Sequence, residues 1–363
     1  MTVPGIHPCS DEPPTPYLVV DLERLDANLA AMAALAQHHG VALRPHAKTH
    51  KSPALARRQL DRGAVGLAVA TVSEAEVFAA AGCTDLFLAY PVWVTPSQGD
   101  RLRALLERTT LTLGVDSVDG ARAVAARVGP RPGLQVMVEV DCGHHRSGVR
   151  PGTAGDVASA ARKAGLQVAG VFTFPGHGYE PGSQQEVACA EAEALAVAAA
   201  TLVDVGIEPR VVSGGSTPTA EHLRDGAMTE MRPGVYVFGD AQQWELGTIC
   251  RDDIALTCRA TVVSRAGGRV VLDSGSKALG SDRPVWSTGA GRLLHHPEAR
   301  LTLLSEHHVV VTWDDTPPPA LGDRLDVVPN HVCNAVNLFD VLHVEQDGRI
   351  VDQWPVTARG ANT

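Results

Sequence analysis

Eight short β-favouring runs alternate with helical stretches over the first 225 residues, and this alternation limits the fold more than any other feature of the sequence. Successive runs begin roughly 25 to 30 residues apart, the length of one strand followed by one helix. Eight such units predict a closed (β/α)8 barrel, with functional groups at the carboxyl ends of its strands. A doubly wound open sheet is the alternative that the same pattern allows. The runs lie at 17–20, 41–44, 65–70, 86–90, 111–115, 134–140, 168–173 and 210–213.

The helical stretches begin at recognisable capping signals. Asp21 is expected to cap the first helix, and Ser52-Pro53 is expected to start the second. Ser73 and Glu76 have the spacing of a capping box. An Ala- and Glu-rich stretch at 183–205 is long enough to be a barrel helix.

The pattern changes beyond residue 240, where β-rich segments follow one another without long helices between them. These segments lie at 255–264, 269–273, 308–312 and 325–328. We therefore predict a barrel domain over 16–240 and a C-terminal β domain over 241–363, which the N-terminal arm 1–15 joins.

Charge and cysteine content exclude several classes of protein. The chain of 363 residues has 31 Lys+Arg against 41 Asp+Glu and a net charge of −10, so it has no basic stripe for binding nucleic acid. A hydrophobic content of 44% excludes a mainly disordered chain. The seven cysteines are scattered without a CxxC pair, no signal-peptide core opens the sequence, and no uninterrupted apolar run approaches the length of a membrane span. These observations predict a cytoplasmic protein with no membrane partner.

Lysine is rare in this chain, which draws attention to one loop. Only four of the 31 basic residues are lysines, and two of them, Lys48 and Lys51, lie in the segment 44–51 after the second predicted strand. A partly desolvated lysine at a barrel rim has a lowered pKa and can form a Schiff base, which arginine cannot do. The alternative is a solvated basic loop.

A glycine-rich run, Ser-Gly-Gly-Ser-Thr-Pro-Thr at 213–219, follows the eighth predicted strand. Glycines allow close approach of the backbone to an anion, hydroxyls donate hydrogen bonds, and the next helix offers free N–H groups. An ordinary βα turn is the alternative. A reactive lysine and a phosphate-binding loop on one barrel rim suggest pyridoxal 5′-phosphate (PLP).

His331 and Cys333 form the third candidate site. If the segment is extended, residues two apart face the same side, so an imidazole and a thiolate can share one metal ion. A buried free cysteine is the alternative. Two ligands are fewer than the four of a closed structural zinc site, so a metal here would have further ligands and open positions for substrate or water.

Segments from almost the whole chain resemble the D-serine dehydratase / D-threonine aldolase family of alanine-racemase-like, fold-type III PLP enzymes. The segment 44–51, Arg-Pro-His-Ala-Lys-Thr-His-Lys, looks like the Schiff-base segment of that family. The other matching segments are Thr15-Pro16, Asp21-Leu22, 138–141, 146–149, 214–219, 232–238, 305–307, 331–333 and 336–338.

The resemblance implies a PLP-binding barrel with a C-terminal β domain, a D-amino acid substrate and a homodimer. It implies that Lys48 binds PLP covalently and that Arg146 lies near the cofactor ring. His331 and Cys333 would bind a divalent metal, with zinc favoured by the thiolate and manganese as the alternative. The implied phosphate ligands are Gly214, Gly215, Ser216 and Thr217, with Tyr236 as a further contact.

Two lyase outcomes follow from such a site. A metal on the β-hydroxyl favours loss of water after Lys48 removes the Cα proton, giving a keto acid and ammonia. A base on the hydroxyl instead cleaves Cα–Cβ, giving glycine and an aldehyde. His-x-Cys resembles the dehydratases, whereas the aldolases more typically have His-x-Asp, so we expect a D-serine or D-threo-3-hydroxyaspartate dehydratase. His177, in the loop after the seventh predicted strand, is the candidate aldolase base, or a histidine without a catalytic role.

Two other functions remain as alternatives at this stage. A racemase needs a second base on the opposite face of the substrate, and none of the four tyrosines can be named for it. A non-catalytic PLP carrier of the same fold type usually consists of the barrel alone, so the C-terminal β domain and the His331–Cys333 pair count against it.

Overall fold

The chain folds into a ring of eight parallel strands and a second, mixed sheet. The computed structural model describes residues 13–313 and 317–363. In that part of the chain the strands are β1 (Tyr17–Asp21), β2 (Ala42–Leu43), β3 (Leu67–Val69), β4 (Asp85–Pro91), β5 (Thr110–Val115), β6 (Leu134–Glu139), β7 (Val168–Phe172), β8 (Val211–Gly214), β9 (Glu230–Met231), β10 (Leu256–Ser264), β11 (Val270–Leu272), β12 (Arg292–Leu293), β13 (Arg300–Leu304), β14 (Val309–Thr312), β15 (Arg324–Val328), β16 (Val341–Gln346) and β17 (Arg349–Pro355).

Helices separate most of the parallel strands, as the sequence predicts. They are α1 (Leu22–His38), α2 (Pro53–Asp61), α3 (Val72–Ala80), α4 (Pro96–Leu105), α5 (Val118–Arg127), α6 (Ala154–Lys163), α7 (Gln184–Asp204), α8 (Ala241–Leu246), α9 (Ser276–Leu279) and α10 (Val332–Val336). In the described part of the chain, no helix is both long enough and apolar enough to span a membrane.

The parallel sheet closes into a barrel. Its strands neighbour one another in the order β2-β9-β8-β7-β6-β5-β4-β3. Its two ends meet because the Ala68 amide donates to the Pro45 carbonyl at 2.9 Å and the Val65 amide donates to the Leu43 carbonyl at 2.9 Å. The barrel interior is filled by buried side chains, among which Phe87 and Phe172 make an edge-to-face contact. The predicted (β/α)8 barrel with a C-terminal β domain is therefore confirmed.

One strand lies in a different sheet from the one that the sequence predicts. β1 pairs antiparallel with β10 and parallel with β16, so it belongs to the second sheet and not to the barrel. The eighth barrel strand is β9, whose two residues are too few to give a periodic signal. The lysine segment consequently follows the first barrel strand, and the glycine-rich run follows the seventh.

The second sheet combines chain segments far apart in sequence. Its main path is β13-β14-β11-β10-β1-β16-β17, and β15 pairs with both β10 and β12. The four β-rich segments predicted beyond residue 240 all contribute strands, and β12, β13, β16 and β17 are additional. One buried apolar cluster joins this sheet to the inner face of α1 through Leu25 and Leu29. Residues 1–12 of the predicted N-terminal arm lie outside the described residues.

The helix starts follow the capping rules with one correction. Asp21 caps α1 by accepting from the Arg24 amide at 3.0 Å, and Ser52 precedes α2 without a capping bond of its side chain. The cap of α3 is Thr71, which accepts from the Glu74 amide at 3.0 Å, so the capping box predicted for Ser73 and Glu76 is wrong. Glu74 is instead buried, where its carboxylate accepts from the Ala70 amide at 2.7 Å.

The end of the chain returns to the barrel. The Ala358 amide donates to the Lys51 carbonyl at 3.0 Å, and the Ser73 amide donates to the Thr363 carbonyl at 2.8 Å. The Thr71 hydroxyl donates to the Ala361 carbonyl at 2.7 Å. The last residues therefore lie against the start of α3, at the same rim of the barrel as the lysine segment.

Candidate active site

A cavity of about 230 Å³ opens at the carboxyl ends of the barrel strands. Residues from both domains line it. Of the residues singled out in the sequence, it brings together Lys48, Arg146, Gly215, Ser216, Thr217, His331 and Cys333. The three candidate sites that the sequence predicts separately are thus parts of one site.

Lys48 stands in the wall of this cavity with no partner for its amine. It lies in a single 3₁₀ turn, Ala47–Thr49, whose preceding residue, His46, accepts from the Lys48 amide at 3.4 Å. Among the described residues no acceptor contacts Nζ, which lies 5.6 Å from the centre of the Phe174 ring. Burial lowers the pKa of the Lys48 amine, although the Cys333 thiolate opposes this effect. An unpaired amine with a lowered pKa is suited to Schiff-base chemistry.

The glycine-rich loop supplies hydroxyls at the opposite wall. Gly215 has a φ of +76°, which an L side chain rarely adopts. Ser216 and Thr219 share a hydrogen bond of 2.9 Å between their hydroxyls, and Thr217 accepts from the Tyr236 amide at 3.1 Å. These bonds fix the loop that faces the cavity.

Glu191 supports the same loop from behind. This residue of α7 is buried, and its Oε1 accepts from the Gly215 amide at 2.7 Å. A Cβ atom on Gly214 would come within 2.5 Å of this oxygen, so a larger residue there would have to displace the Glu191 carboxylate. Burial raises the pKa of Glu191 to about 7, against the effect of the Gly215 hydrogen bond. The Gly215 amide is therefore engaged by Glu191 and turned away from any ligand.

Two of the predicted phosphate contacts do not face the cavity. Gly214 packs against Glu191, as described above. The Tyr236 hydroxyl accepts from Gln59 at 3.0 Å, and burial raises its pKa. The loop wall of the cavity is formed by Gly215, Ser216 and Thr217, together with Gly234 and Val235.

Arg232 is a cavity residue that the sequence reasoning did not single out. Its guanidinium is buried, donates to the Ser213 hydroxyl and the Thr173 carbonyl, and lies 5.3 Å from the Phe172 ring centre. Burial lowers its pKa. The residue belongs to the segment 232–238 that carries the family resemblance, but it follows the short strand β9, which the hydrophobic pattern does not show.

Arg146 reaches the cavity from the loop after β6. Its guanidinium lies 4.9 Å from the Phe174 ring centre and 3.9 Å from Glu139 Oε1. Burial raises the pKa of Glu139 to about 7, although the hydrogen bond from Ser147 opposes the shift. The geometry places this cation beside an aromatic side chain at the cavity wall. Its position near a cofactor ring, which the resemblance implies, stays a prediction.

His331 and Cys333 form the end of the cavity that the C-terminal domain contributes. The predicted extended segment is only half right, since His331 has extended backbone while Cys333 lies in the first turn of α10. The Cys333 thiol donates to the Thr49 hydroxyl at 3.3 Å, and His331 Nδ1 lies 3.5 Å from Asp240 Oδ2. Burial opposes both charges, but mutual attraction lowers the pKa of the thiol and raises that of the imidazole.

This pair suits a metal ion with open positions. His331 Nδ1 is buried, and its contact with Asp240 at 3.5 Å is an ion pair rather than a well-formed hydrogen bond. A nitrogen and a thiolate are ligands that zinc prefers. The described residues contain no cluster of three His, Cys, Asp or Glu side chains able to hold a metal. A metal ion held by His331 and Cys333 therefore stays a prediction.

His177 does not line the cavity. It stacks with His144 at a ring separation of 6.4 Å, and its Nδ1 is buried without a hydrogen-bond partner among the described residues. Burial lowers its pKa. A catalytic role for His177 stays a prediction.

The cavity fits PLP at three points. The free amine of Lys48 can take an aldehyde, Ser216 and Thr217 can donate to a phosphate, and Arg232 and Arg146 can balance its negative charge. The remaining wall is apolar or aromatic and includes Ala70, Ala89 and Phe174, which suits a planar ring.

Comparison with known proteins agrees with this arrangement. Residues 20–242 match the family described as alanine racemase, N-terminal domain, and residues 255–345 match the putative serine dehydratase domain. A D-threonine aldolase from Arthrobacter sp. is 36% identical over 361 residues, covering 95% of this chain and 93% of the aldolase. A D-threo-3-hydroxyaspartate dehydratase from Delftia sp. (strain HT23) is 36% identical over 347 residues, covering 88% of this chain and 90% of the dehydratase.

Solved structures give the same picture. The crystal structure of a D-threonine aldolase from Filomicrobium marinum superposes with a TM-score of 0.87 at 32% identity, covering 96% of each chain. A metal-free form of a cysteine-to-alanine variant of D-threo-3-hydroxyaspartate dehydratase has a TM-score of 0.86 at 34% identity, covering 94% of this chain and 97% of that one. This chain therefore belongs to the D-serine dehydratase / D-threonine aldolase family, the lyases among the alanine-racemase-like PLP enzymes.

Proposed function

We propose that this chain is a PLP- and metal-dependent lyase of D-β-hydroxy amino acids and that it acts as a D-serine or D-threo-3-hydroxyaspartate dehydratase. The observation that carries the proposal is the meeting of Lys48 with the His331–Cys333 pair on one cavity. When bound, PLP withdraws electrons from Cα of the substrate, and a metal ion makes a β-hydroxyl a better leaving group.

Residues at one end of the cavity would bind the cofactor, and residues at the other end would bind the metal ion. Lys48 anchors the cofactor, and its amine is the group placed to take the Cα proton. Ser216 and Thr217 bind the phosphate, while Arg232 and Arg146 orient the ring. His331 and Cys333 would hold the metal ion, which would supply a Lewis acid for the β-hydroxyl of the substrate.

The geometry favours elimination over retro-aldol cleavage. A retro-aldol reaction needs a base for the hydroxyl proton, and the histidine considered for that role, His177, does not line the cavity. Elimination needs only an amine at Cα and a Lewis acid at the hydroxyl. The His331–Cys333 pair supports the same choice, because His-x-Cys resembles the dehydratases of the family, whereas the aldolases more typically have His-x-Asp.

Aldolase activity is the second candidate, because a D-threonine aldolase is as similar in sequence as the dehydratase. Product analysis with D-serine, D-threonine and D-threo-3-hydroxyaspartate separates the two. Ammonia and a keto acid are expected from the hydroxyaspartate or serine. Glycine with an aldehyde would instead establish the aldolase.

Metal analysis of the purified protein tests the other half of the proposal. We expect about one zinc ion per chain and loss of elimination after chelation, with recovery when zinc is returned. Activity that survives removal of the metal would reject its role. The homodimer implied by the family resemblance stays a prediction, and sedimentation analysis would test it.

A further inference from the structure

Lys51 has surroundings opposite to those of Lys48, three residues earlier. Its side chain is buried, and its ammonium contacts three acceptors. Nζ donates to Asn337 Oδ1 at 2.9 Å and to Asn362 Oδ1 at 3.2 Å, and it forms an ion pair of 3.3 Å with Glu74 Oε1. An ammonium has three N–H bonds to donate, so all of its donors are engaged. Lys51 is therefore not a second free amine of the site.

The three acceptors come from three separate parts of the fold. Glu74 lies in the first turn of α3, on the barrel. Asn337 is the residue that ends α10, four positions after Cys333. Asn362 belongs to the final segment of the chain, and Asn337 Oδ1 also accepts from the Gly360 amide at 3.1 Å. One ammonium thus connects the barrel, the helix that carries Cys333 and the end of the chain.

The backbone ties this connection to the reactive lysine. The Lys51 amide donates to the Ala47 carbonyl at 2.9 Å, which closes the turn that contains Lys48. Lys51 also has a φ of +50°, a left-handed conformation that is uncommon for a residue other than glycine. The turn from which the Lys48 amine projects is therefore held by the main chain of Lys51, which a side-chain substitution at this position retains.

Polar contacts hold the α10 segment at the barrel rim at both of its ends. At its start, the Val332 amide donates to Asp240 Oδ2 at 3.2 Å. Between the helix and α3 lies a second cavity of about 360 Å³, lined by Lys51, Glu74, Asn337 and Asn362 and sharing Lys48 and Cys333 with the first. Beyond the start of the helix, the hydrogen bond between Cys333 and Thr49 and the contacts of Lys51 join the helix to the rim.

We propose that Lys51 is a positioning residue that fixes the His331–Cys333 pair relative to the Lys48 amine. The proposal rests on the metal role proposed above. Loss of the ammonium leaves a buried carboxylate and two amides without their common partner, so the carboxyl end of α10 is held less firmly against the rim. Its two metal ligands then no longer stand at a fixed distance from the amine, while the phosphate loop on the other wall is unaffected.

The test is a comparison of metal and cofactor affinities in Lys51→Met. We expect the dissociation constant for zinc, measured by competition with a chromophoric chelator, to rise about 10- to 100-fold. The dissociation constant for PLP, measured by absorbance titration of the apoprotein, should change less than about 2-fold, because the phosphate loop is held by Glu191.

Lys163→Met is the matched control, since Lys163 is exposed and far from the site in sequence, and both constants should stay at the wild-type values. Equal losses in both constants, or no loss for zinc, would overturn the proposal.

If Lys51→Met does not fold, variants of Asn337, one of the three acceptors of Lys51, still test the proposal. Asn337→Leu removes one acceptor and should weaken zinc binding in the same way. Asn337→Asp keeps the acceptor oxygen and should restore zinc affinity to the wild-type value or above. In the double variant of Lys51→Met and Asn337→Leu the losses should not add, because both break one contact. Additive losses would show that the two residues act separately.

A third measurement distinguishes failure of this inference from failure of the proposed function. In metal-free protein the buried Cys333 thiol should react slowly with iodoacetamide. Lys51→Met should speed this alkylation about 10-fold or more, which corresponds to the free energy typically lost when a buried polar group loses its partner. A wild-type protein that binds no zinc would reject the metal role, while the alkylation rate would still report whether Lys51 holds α10. Unchanged alkylation in a variant that folds would reject the positioning role itself.

Discussion

The two ends of the site are held in place by different parts of the chain. At the phosphate end, Glu191 and Gly215 are 24 positions apart and both lie in the barrel. At the metal end, Lys51 contacts Asn337 and Asn362, which are 286 and 311 positions away. The first end needs only a folded barrel, whereas the second also needs the C-terminal segments to return to the barrel rim. Cofactor binding and metal binding should therefore be separable by mutation.

The largest effect is expected at Lys48, which lies between the two ends. Lys48→Ala should abolish the visible absorbance of lysine-bound PLP and lower lyase activity about 10⁴-fold or more. Zinc content should remain near the wild-type value, because no metal ligand is removed. Lys163→Ala serves as the control for loss of a lysine. Persistence of the visible band in Lys48→Ala would disprove the assignment of this residue.

Cys333→Ala tests the opposite case, in which the metal is lost and the cofactor is kept. Loss of the thiolate should remove the metal and lower elimination about 10³-fold, since a Lewis acid at the leaving group contributes several kcal/mol. The visible absorbance of bound PLP should persist. Cys189→Ala, at a partly exposed position on α7, is the control. Retention of stoichiometric zinc in Cys333→Ala would show that metal binding does not depend on Cys333 and would contradict the separation of the two ends.

Glu191→Leu is expected to weaken the phosphate end alone. Without the carboxylate the buried Gly215 amide loses its acceptor, which costs about 1–3 kcal/mol and should raise the dissociation constant for PLP about 10-fold. Zinc affinity should be unchanged. Glu193→Leu, exposed on the same helix, should change neither constant. A loss of zinc in Glu191→Leu would mean that the two ends are coupled.

The smallest effect is a pH dependence of stability in Glu191→Gln, which keeps an acceptor oxygen but has no charge. Because the pKa of Glu191 is raised to about 7 in the folded protein, its contribution to stability is complete below the unfolded pKa and is lost as the pH rises through 7. The melting temperature of Glu191→Gln minus that of the wild type should therefore increase by a few degrees between pH 5 and pH 8. A constant difference across this range would show that Glu191 stays in one protonation state.

Much of the barrel and part of the site could be predicted from the sequence, because their signals are local. Strand and helix periodicity, the cap at Asp21 and the glycines after β8 each depend on a few neighbouring residues. The short strand β9 and the true partners of β1 could not be read in this way. Two residues of strand carry no period, and β1 has the same local pattern whichever sheet it joins.

The misplaced capping box shows the same limit at a smaller scale. Ser73 and Glu76 have the required spacing, yet Thr71 makes the cap and the carboxylate of Glu74 is turned inward. In this position the Glu74 carboxylate forms an ion pair with the ammonium of Lys51, whose other partners lie near the end of the chain. A contact between distant segments cannot be inferred from spacing.

By itself the sequence determined the fold class and singled out Lys48, the glycine-rich loop and the His331–Cys333 pair, because these signals are local. Only the tertiary structure decided that Arg232 lines the same cavity as these segments and that His177 does not. The tertiary structure also gives the amines of Lys48 and Lys51 different surroundings, which sequence composition cannot distinguish. The physical reason is that the chemistry of an amine depends on its partners, and those partners are brought to it by chain segments hundreds of residues away.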